Sequence, residues 1–246
     1  MTPRLLVSVF ELAEVTAALA GGADIVDVKN PAEGSLGAAS PALLRAVGRC
    51  IEGRAALSAA LGDAPHLPGT LALAAAGAAG CGAEYVKVGL LGSSRPDDAV
   101  MLLREVQRAA TGGWAATRVV AVAYADAARV GGLLPSELPR AAARAGVHGV
   151  MLDTAVKDGA STLDHLGEAG VAAFVNEARS LGLETALAGA LRLQEILRIA
   201  GLGAEVVGVR GSACDGGRAG RVSVARVRAL RAALVPGALP HPAPFA

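Results

Sequence analysis

Short apolar segments alternate with longer amphipathic ones along the whole chain. The short segments consist mostly of Val, Ile, Leu and Ala, which is typical of strands buried on both faces of a parallel sheet. Between them, apolar residues recur at three- and four-residue spacing, which indicates helices that cover the sheet. The pattern therefore predicts strands at residues 4–10, 24–30, 55–61, 84–90, 118–125, 149–156, 184–190 and 206–211.

The strand–helix units are evenly spaced, and part of their sequence repeats. Three segments that enter strands begin with Gly and an acidic residue, namely GADIVDVK, GAEYVKVG and GAEVVGVR. One (β/α)8 barrel needs about 250 residues, and this chain has 246. We therefore predict an α/β protein with a single (β/α)8 TIM barrel over residues 1–234, followed by a Pro-rich C-terminal tail over residues 235–246.

Composition and charge exclude several kinds of partner. The net charge is +1 and aromatic residues make up 2 % of the chain, so no nucleic-acid partner is expected. No apolar stretch is long enough to span a bilayer, and no pair of the CxxC or HxxxH type suggests a metal site. The three cysteines show no paired spacing, which suits a reducing compartment. We expect a cytoplasmic protein without a metal or a membrane partner.

The loops that follow the predicted strands are longer and more polar than the turns that precede them. In a barrel of this type they form the C-terminal face, where active sites lie. The loop NPAEGSLGAAS after the second strand is either a cover over a substrate or an ordinary surface loop. The other long loops are GDAPHLPGT after the third strand, KDGASTLD after the sixth and GSACDGGRAGR after the eighth.

Only three of the 23 basic residues are lysines, and each lies near the C-terminal end of a predicted strand. They are Lys29, Lys87 and Lys157. A lysine amine can lose its proton and attack a carbonyl carbon to form a Schiff base, whereas a guanidinium stays charged. The three lysines are therefore candidate nucleophiles or proton carriers. The alternative is that each pairs with a carboxylate and only stabilises the barrel.

Strand alternation predicts how these lysines are arranged. Asp27 and Lys29 share one face of the second strand, and Asp153 lies in line with Lys157 if the sixth strand stays extended that far. Superposing the repeats aligns Lys87 with Asp27, one layer below Lys29. We expect these five residues to converge on one cavity, where mutual repulsion would leave one amine neutral and another charged. Simple ion pairing is the alternative for the two carboxylates.

Glycine-rich loops follow the seventh and eighth strands, the usual position of a phosphate site in this fold. We expect backbone N–H groups of Gly189, Gly211 and Ser212 to bind a phosphate, with Arg210 adding charge. Alternatively, these glycines only permit tight turns of the backbone and bind no phosphate. His148 precedes the sixth strand and is expected to be structural. Other polar side chains near the predicted mouth are Ser8, Asp63, His66, Tyr124 and Asp126.

Several segments resemble the family of (5-formylfuran-3-yl)methyl phosphate synthase, an enzyme of methanofuran biosynthesis. They include DVKNPAEGSLGA, SAALGD, GAEYVKVGL, MLDTAVKDG, LAGA and VGVRGSAC, in order between about residue 4 and residue 234. The first and fourth of these are long enough to be specific. The tail lies outside the resemblance, and the loop that contains His66 matches only loosely.

The resemblance implies a barrel enzyme that condenses two molecules of glyceraldehyde 3-phosphate into 4-(hydroxymethyl)-2-furancarboxaldehyde phosphate, with loss of phosphate and water. It implies no metal or organic cofactor. It also implies that Lys29 forms the Schiff base and Lys87 accepts a proton, while Asp27, Asp153 and Lys157 share the proton transfers. Many barrels associate, so a homo-oligomer is expected.

Two other functions remain open on the residues alone. A lysine-dependent class I aldolase that acts on a phosphorylated sugar would need the same lysines but would form no furan. A non-catalytic phosphate-binding barrel would leave the three lysines unexplained.

Overall fold

The computed structural model describes residues 2–63, 65–112 and 117–235. Eight parallel strands pair in sequence order, and the eighth pairs with the first, so the sheet closes into a barrel. The predicted (β/α)8 fold is confirmed. The strands are β1 (Arg4–Val9), β2 (Ile25–Val28), β3 (Ala56–Ala60), β4 (Tyr85–Gly89), β5 (Arg118–Tyr124), β6 (Gly149–Asp153), β7 (Glu184–Leu187) and β8 (Val206–Val209).

Helices surround the barrel and begin at recognisable signals. Pro41, Pro68 and Pro96 are each the first residue of a helix, where the missing N–H costs nothing. Ser161 and Asp164 form a reciprocal capping box at the start of the longest one. The helices are α1 (Val15–Gly21), α2 (Pro41–Ile51), α3 (Pro68–Gly80), α4 (Pro96–Thr111), α5 (Ala127–Val130), α6 (Leu138–Ala145), α7 (Thr162–Ser180), α8 (Leu193–Ala200) and α9 (Val224–Ala233).

Two apolar clusters hold the fold together. The larger lies between the strands and the helices, and the smaller fills the inside of the barrel. Fully burying one such side chain contributes about 1.5–3 kcal/mol, so the two clusters supply most of the driving force for folding. The interior cluster consists of Leu6, Ile25, Leu36, Ala60, Tyr85, Val120, Val122, Tyr124, Met151, Ala186, Ala188 and Val206.

The structure differs from the sequence-based prediction at the ends of several strands and in one loop. β7, for example, ends at Leu187 rather than at residue 190. β6 ends at Asp153 rather than at residue 156, because the Asp153 carboxylate accepts a hydrogen bond from Thr154 N at 2.7 Å and the chain turns there. The loop after β8 contains an unpredicted hairpin of β9 (Cys214–Asp215) and β10 (Arg221–Val222). The predicted tail lies outside the described residues, apart from Val235. No helix within the described ranges is long and apolar enough to cross a membrane.

Candidate active site

A cavity of about 1030 Å³ opens at the C-terminal end of the barrel. Its wall includes all three lysines together with Asp153, Gly189 and the loop after β8. The structure therefore brings the predicted lysines and the predicted phosphate loops to the same cavity. Asp27 is the exception, because it is fully buried beneath the cavity rather than in its wall.

The lower layer of the site is a buried ion pair. Lys87 Nζ donates a hydrogen bond to Asp27 Oδ2 at 2.7 Å, and both side chains are nearly inaccessible to water. Ser8 Oγ and Ser58 Oγ also donate to this carboxylate, at 3.0 and 2.8 Å. A buried charge left without its partner is strongly destabilising, so this pair and its serines act as a unit.

The upper layer is a second pair, nearer to solvent. Lys157 Nζ donates to Asp153 Oδ1 at 2.9 Å and to Thr154 O at 2.6 Å. The Lys157 side chain is 21 % exposed, against 3 % for Lys87. Burial alone would raise the pKa of Asp153, but the charges of Lys157 and Lys29 outweigh it and lower that pKa to about 2. Asp153 is therefore a carboxylate at neutral pH.

Lys29 differs from the other two lysines. Its amine has no carboxylate within 4.0 Å and no hydrogen-bond partner among the described residues, although only 4 % of the residue is exposed. Burial lowers the pKa of Lys29 to about 8, with the charges of Lys87 and Lys157 acting in the same direction and those of Asp153 and Asp27 opposing them. Roughly a tenth of the Lys29 amine is thus unprotonated at pH 7. This is the property that a Schiff-base nucleophile requires.

The predicted phosphate end of the cavity is lined by Gly189, Gly211 and Ser212. Gly189 has a φ of +92°, and a Cβ atom there would lie 2.3 Å from Thr162 Oγ1, so only glycine fits. Ser212 Oγ is buried and has no hydrogen-bond partner within the described part of the chain. An unpaired buried hydroxyl is costly, and a bound anion would satisfy it.

Arg210 also borders the cavity, but its guanidinium is already engaged. It pairs with Glu14 at 2.7 Å, donates to Gly220 O at 2.7 Å and stacks on the Phe10 ring at 3.7 Å. These contacts fasten the β8 loop to the segment after β1. A phosphate that met Arg210 would have to share its charge with Glu14.

Arg218 is a candidate residue that the sequence did not single out. It lines the same cavity and has no carboxylate within 4.0 Å among the described residues. Burial lowers the pKa of its guanidinium, Arg210 adds to that effect and Asp153 opposes it. The only signal in the sequence is its place in the loop GSACDGGRAGR, where one arginine cannot be told from another.

Asp126 supports the site without lining the cavity. Its two carboxylate oxygens accept hydrogen bonds from Ala155 N and Val156 N at 2.7 and 2.8 Å. These bonds shape the turn that brings Lys157 back over Asp153. Strand position predicted that Asp126 lies near the mouth but not this contact.

The two singled-out histidines lie away from the lysines. His66 Nδ1 is 3.1 Å from Ser93 Oγ, and neither residue lines the cavity. His148 immediately precedes β6 and lies 3.5 Å from Glu184 at the opposite end of the barrel. Within the ranges that the structure describes, no group of three or more His, Cys, Asp or Glu side chains could hold a metal ion.

Known proteins are similar to this chain over most of its length. A family model described as 4-HFC-P synthase matches residues 5–231. The (5-formylfuran-3-yl)methyl phosphate synthase of Methanothermobacter thermautotrophicus is 47 % identical over 229 residues, which cover 92 % of this chain and 97 % of that protein. The protein of the same name from Methanopyrus kandleri is 46 % identical over 224 residues, 91 % of this chain and 94 % of that protein.

A solved structure adds to the assignment of the fold. That of 3-hexulose-6-phosphate synthase has a TM-score of 0.66 at 19 % identity and covers 94 % of this chain and 100 % of its own. This likeness shows the fold alone. The family model, by contrast, spans every strand of the barrel and all three lysines. On that match, and on two relatives at nearly half identity over nine-tenths of the chain, this protein belongs to the 4-HFC-P synthase family.

Proposed function

We propose that this protein condenses two molecules of glyceraldehyde 3-phosphate into 4-(hydroxymethyl)-2-furancarboxaldehyde phosphate, with loss of phosphate and water, for methanofuran biosynthesis. The observation that carries the proposal is Lys29, a buried amine with a pKa of about 8 in the wall of a cavity shared with two more lysines. The names of the relatives supply the product, because both are called (5-formylfuran-3-yl)methyl phosphate synthase.

The first steps use the difference between Lys29 and Lys87. The neutral Lys29 amine attacks the aldehyde carbon of one triose phosphate, and loss of water gives an imine. The imine withdraws electrons from the neighbouring carbon, so a C–H proton there can pass to Lys87. Asp27, which lies 2.7 Å from Lys87 Nζ, is placed to hold a proton while that amine is free.

The remaining steps build the ring. The enamine formed on Lys29 expels the phosphate of its own triose, which leaves an enol whose terminal carbon is nucleophilic. The second triose phosphate isomerises from aldehyde to ketone by proton transfer, and the terminal carbon attacks that ketone carbon to make the new carbon–carbon bond. The free primary hydroxyl of the second triose closes the ring onto the carbonyl carbon beside the imine, loss of two water molecules gives the furan, and hydrolysis of the imine releases the aldehyde and restores the Lys29 amine. Asp153 and Lys157, paired at 2.9 Å beside the cavity, exchange the protons that these steps require.

The cavity has room and charge for phosphorylated substrates. Pockets for drug-sized ligands occupy about 300–1,000 Å³, so about 1030 Å³ accommodates two trioses. In the proposed complex Arg218 and Ser212 bind a phosphate group, together with backbone N–H groups of Gly189 and Gly211. Arg210 adds positive potential behind them, while its pairing with Glu14 keeps the loop in place.

The direct test is incubation of the purified protein with glyceraldehyde 3-phosphate alone. We expect a product with furan-aldehyde absorbance and the mass of the furan phosphate, and no product from Lys29→Arg, which keeps the charge but not the nucleophile. A class I aldolase would yield a sugar phosphate without that absorbance. Binding of the triose with no turnover by the folded protein would favour the non-catalytic barrel and overturn the proposal.

The proposal extends to the cellular location and the assembly of the protein. Cys50, Cys81 and Cys214 are free thiols, which supports a reducing cytoplasm as the site of the reaction. Leu73 is 78 % exposed on the outer face of α3, which supports self-association into a homo-oligomer.

A further inference from the structure

The loop after β2, residues 30–40, enters the barrel mouth at residues 35–37, while residues 31–34 stay exposed; we call it the β2 loop. Its Leu36 side chain is fully buried in the interior cluster, with Ala60 of β3, Tyr124 of β5 and Met151 of β6. The loop thus follows β2 and places the Leu36 side chain in the same apolar cluster as residues of β5 and β6, on the other side of the barrel. Of the two hypotheses from the sequence, a cover over the substrate fits this position better than an ordinary surface loop.

Hydrogen bonds hold this part of the β2 loop on two sides. Ser35 Oγ donates to Thr154 O at 3.0 Å, which ties the loop to the turn after β6. Leu36 N donates to Asp63 Oδ2 at 2.9 Å, which ties it to the loop after β3. The base of the β2 loop is closed by a hydrogen bond from Asn30 N to Gly37 O at 2.8 Å.

Asp63 is itself held by a buried phenol. Its second oxygen accepts a hydrogen bond from Tyr124 OH, and Tyr124 is the last residue of β5 and only 1 % exposed. A Cβ atom on Gly89 would lie 2.1 Å from Asp63 Oδ1 and 2.6 Å from Tyr124 OH. Because Gly89 follows Lys87 by two residues on one strand, the Asp63–Tyr124 pair fills the layer directly above Lys87.

Neither Asp63 nor Tyr124 lines the cavity, and the proposed reaction uses neither of them. Their position points to a different role. Lys29 immediately precedes the β2 loop and is 4 % exposed. The charged groups that act on its amine are Asp27, Lys87, Asp153, Lys157 and Asp63 itself, and burial is the largest single influence.

We propose that Asp63 is a positioning residue for Lys29: by accepting hydrogen bonds from Leu36 N–H and Tyr124 O–H, it holds the β2 loop over the barrel mouth and keeps the Lys29 amine out of water. The role does not require contact with substrate. It rests on the proposed function only where activity is the readout, because the protonation of Lys29 can be measured without substrate.

The test measures the protonation of Lys29 by NMR in protein labelled with ¹³C at lysine Cε. A chain with three lysines gives few enough signals to assign each by substitution. In Tyr124→Phe and in Leu36→Ala we expect the pKa of Lys29 to rise from about 8 toward the ordinary 10.5, because water reaches the amine. Leu102→Ala, which opens a cavity in α4 outside the barrel, should lower thermal stability and leave this pKa unchanged.

The Asp63→Asn variant distinguishes a positioning role of Asp63 from a direct effect of its negative charge on Lys29. Removing a negative charge near Lys29 would by itself lower the pKa of that amine, whereas loosening the β2 loop would raise it. We expect a rise. A fall, or no change in folded Asp63→Asn and Leu36→Ala alike, would overturn the proposal; if Asp63→Asn does not fold, Tyr124→Phe and Leu36→Ala decide.

The furan assay gives a second readout. For each unit by which the pKa of Lys29 rises, kcat/KM at pH 7 should fall about tenfold and should recover at higher pH, since only the fraction of free amine changes. A loss that high pH does not restore would contradict a positioning role. If the NMR shift appears but no furan forms even in the wild type, the proposed function fails while the role of Asp63 stands.

Discussion

Burying Lys29 without a paired carboxylate costs folding free energy. Lys87 and Lys157 avoid this cost because each is paired with a carboxylate. Both of those amines have a carboxylate within 3 Å, whereas the nearest charges to Lys29 act only at a distance. Such cost is commonly tolerated where a group must react. Lys29 is thus better explained by chemistry than by stability.

A Lys29→Met variant should be more stable than the wild type at neutral pH. In the folded protein the pKa is about 8, against 10.5 as the ordinary value, which corresponds to about 3 kcal/mol. Because this pKa already includes the attraction between Lys29 and Asp153, we expect a gain of about 3 kcal/mol in the free energy of unfolding.

The sign of the pH dependence follows from the lowered pKa. Below pH 8 both states of the wild type carry the proton, and the full penalty is present. Between pH 8 and 10.5 the folded state releases it while the unfolded state keeps it, so wild-type stability rises relative to the variant. Urea unfolding at pH 7 and pH 10 measures the difference; an advantage of Lys29→Met that does not shrink would contradict the buried, depressed amine.

Arg218→Gln should raise KM for glyceraldehyde 3-phosphate by about tenfold to a hundredfold, because a hydrogen bond to a charged group contributes about 1.5–3 kcal/mol. The effect on kcat should be smaller. Arg226 is a matched control, since it borders the same cavity but is paired with Asp215 at 2.7 Å. Equal changes in KM for Arg218→Gln and Arg226→Gln would show that Arg218 has no special role.

Strand alternation together with the superposed sequence repeats predicted the depth of the lysines. It placed Lys87 one layer below Lys29, and the structure pairs Lys87 with Asp27 as that depth requires. The roles of Arg210 and Arg218 could not be predicted in the same way. The role of Arg210 depends on Glu14, which is 196 residues away in the chain and comes within reach only after the barrel closes.

At the scale of elements, strand centres were predictable and strand ends were less so. An apolar run shows where a strand lies, but β6 ends at Asp153 because its carboxylate accepts a hydrogen bond from Thr154 N. The β9–β10 hairpin was missed because strands of two residues have no periodicity to detect. That hairpin encloses Arg218, so its geometry matters to the phosphate end.

Gly220→Ala should disturb this hairpin and weaken substrate binding. A Cβ atom at residue 220 would lie 1.7 Å from Asp215 O, so the backbone would have to move. We expect KM to rise severalfold, with a smaller change in kcat. Since the effect passes through Arg218, adding Gly220→Ala to Arg218→Gln should cause little further loss; fully additive losses in the double variant would contradict the link.

At the scale of the whole molecule, the barrel was predictable because its units repeat and each must bury one face against the next. The path of the β2 loop was not, because it depends on Asp63 and Thr154, residues distant in the chain. On the outer surface of the barrel, helix α3 contains no charged residue, and its exposed face carries Leu73 with Ala76 and Gly77.

An apolar outer face on a helix is usually covered by another protein surface. If α3 is part of a contact between copies of this chain, Leu73→Glu should reduce the molecular mass measured by light scattering. Leu181→Glu, a similar change at an isolated leucine that is 41 % exposed, should not. A wild-type protein that is already monomeric would refute the expected homo-oligomer.

In the proposed mechanism Lys29 forms the Schiff base from which the furan is built. Adding borohydride during turnover with glyceraldehyde 3-phosphate reduces an imine to a stable amine, and peptide mass spectrometry then locates it. The proposed mechanism predicts a triose-derived mass on the peptide that carries Lys29, absent without substrate and absent in Lys29→Arg. A label confined to Lys87 or Lys157, or no label on an enzyme that is turning over, would contradict it.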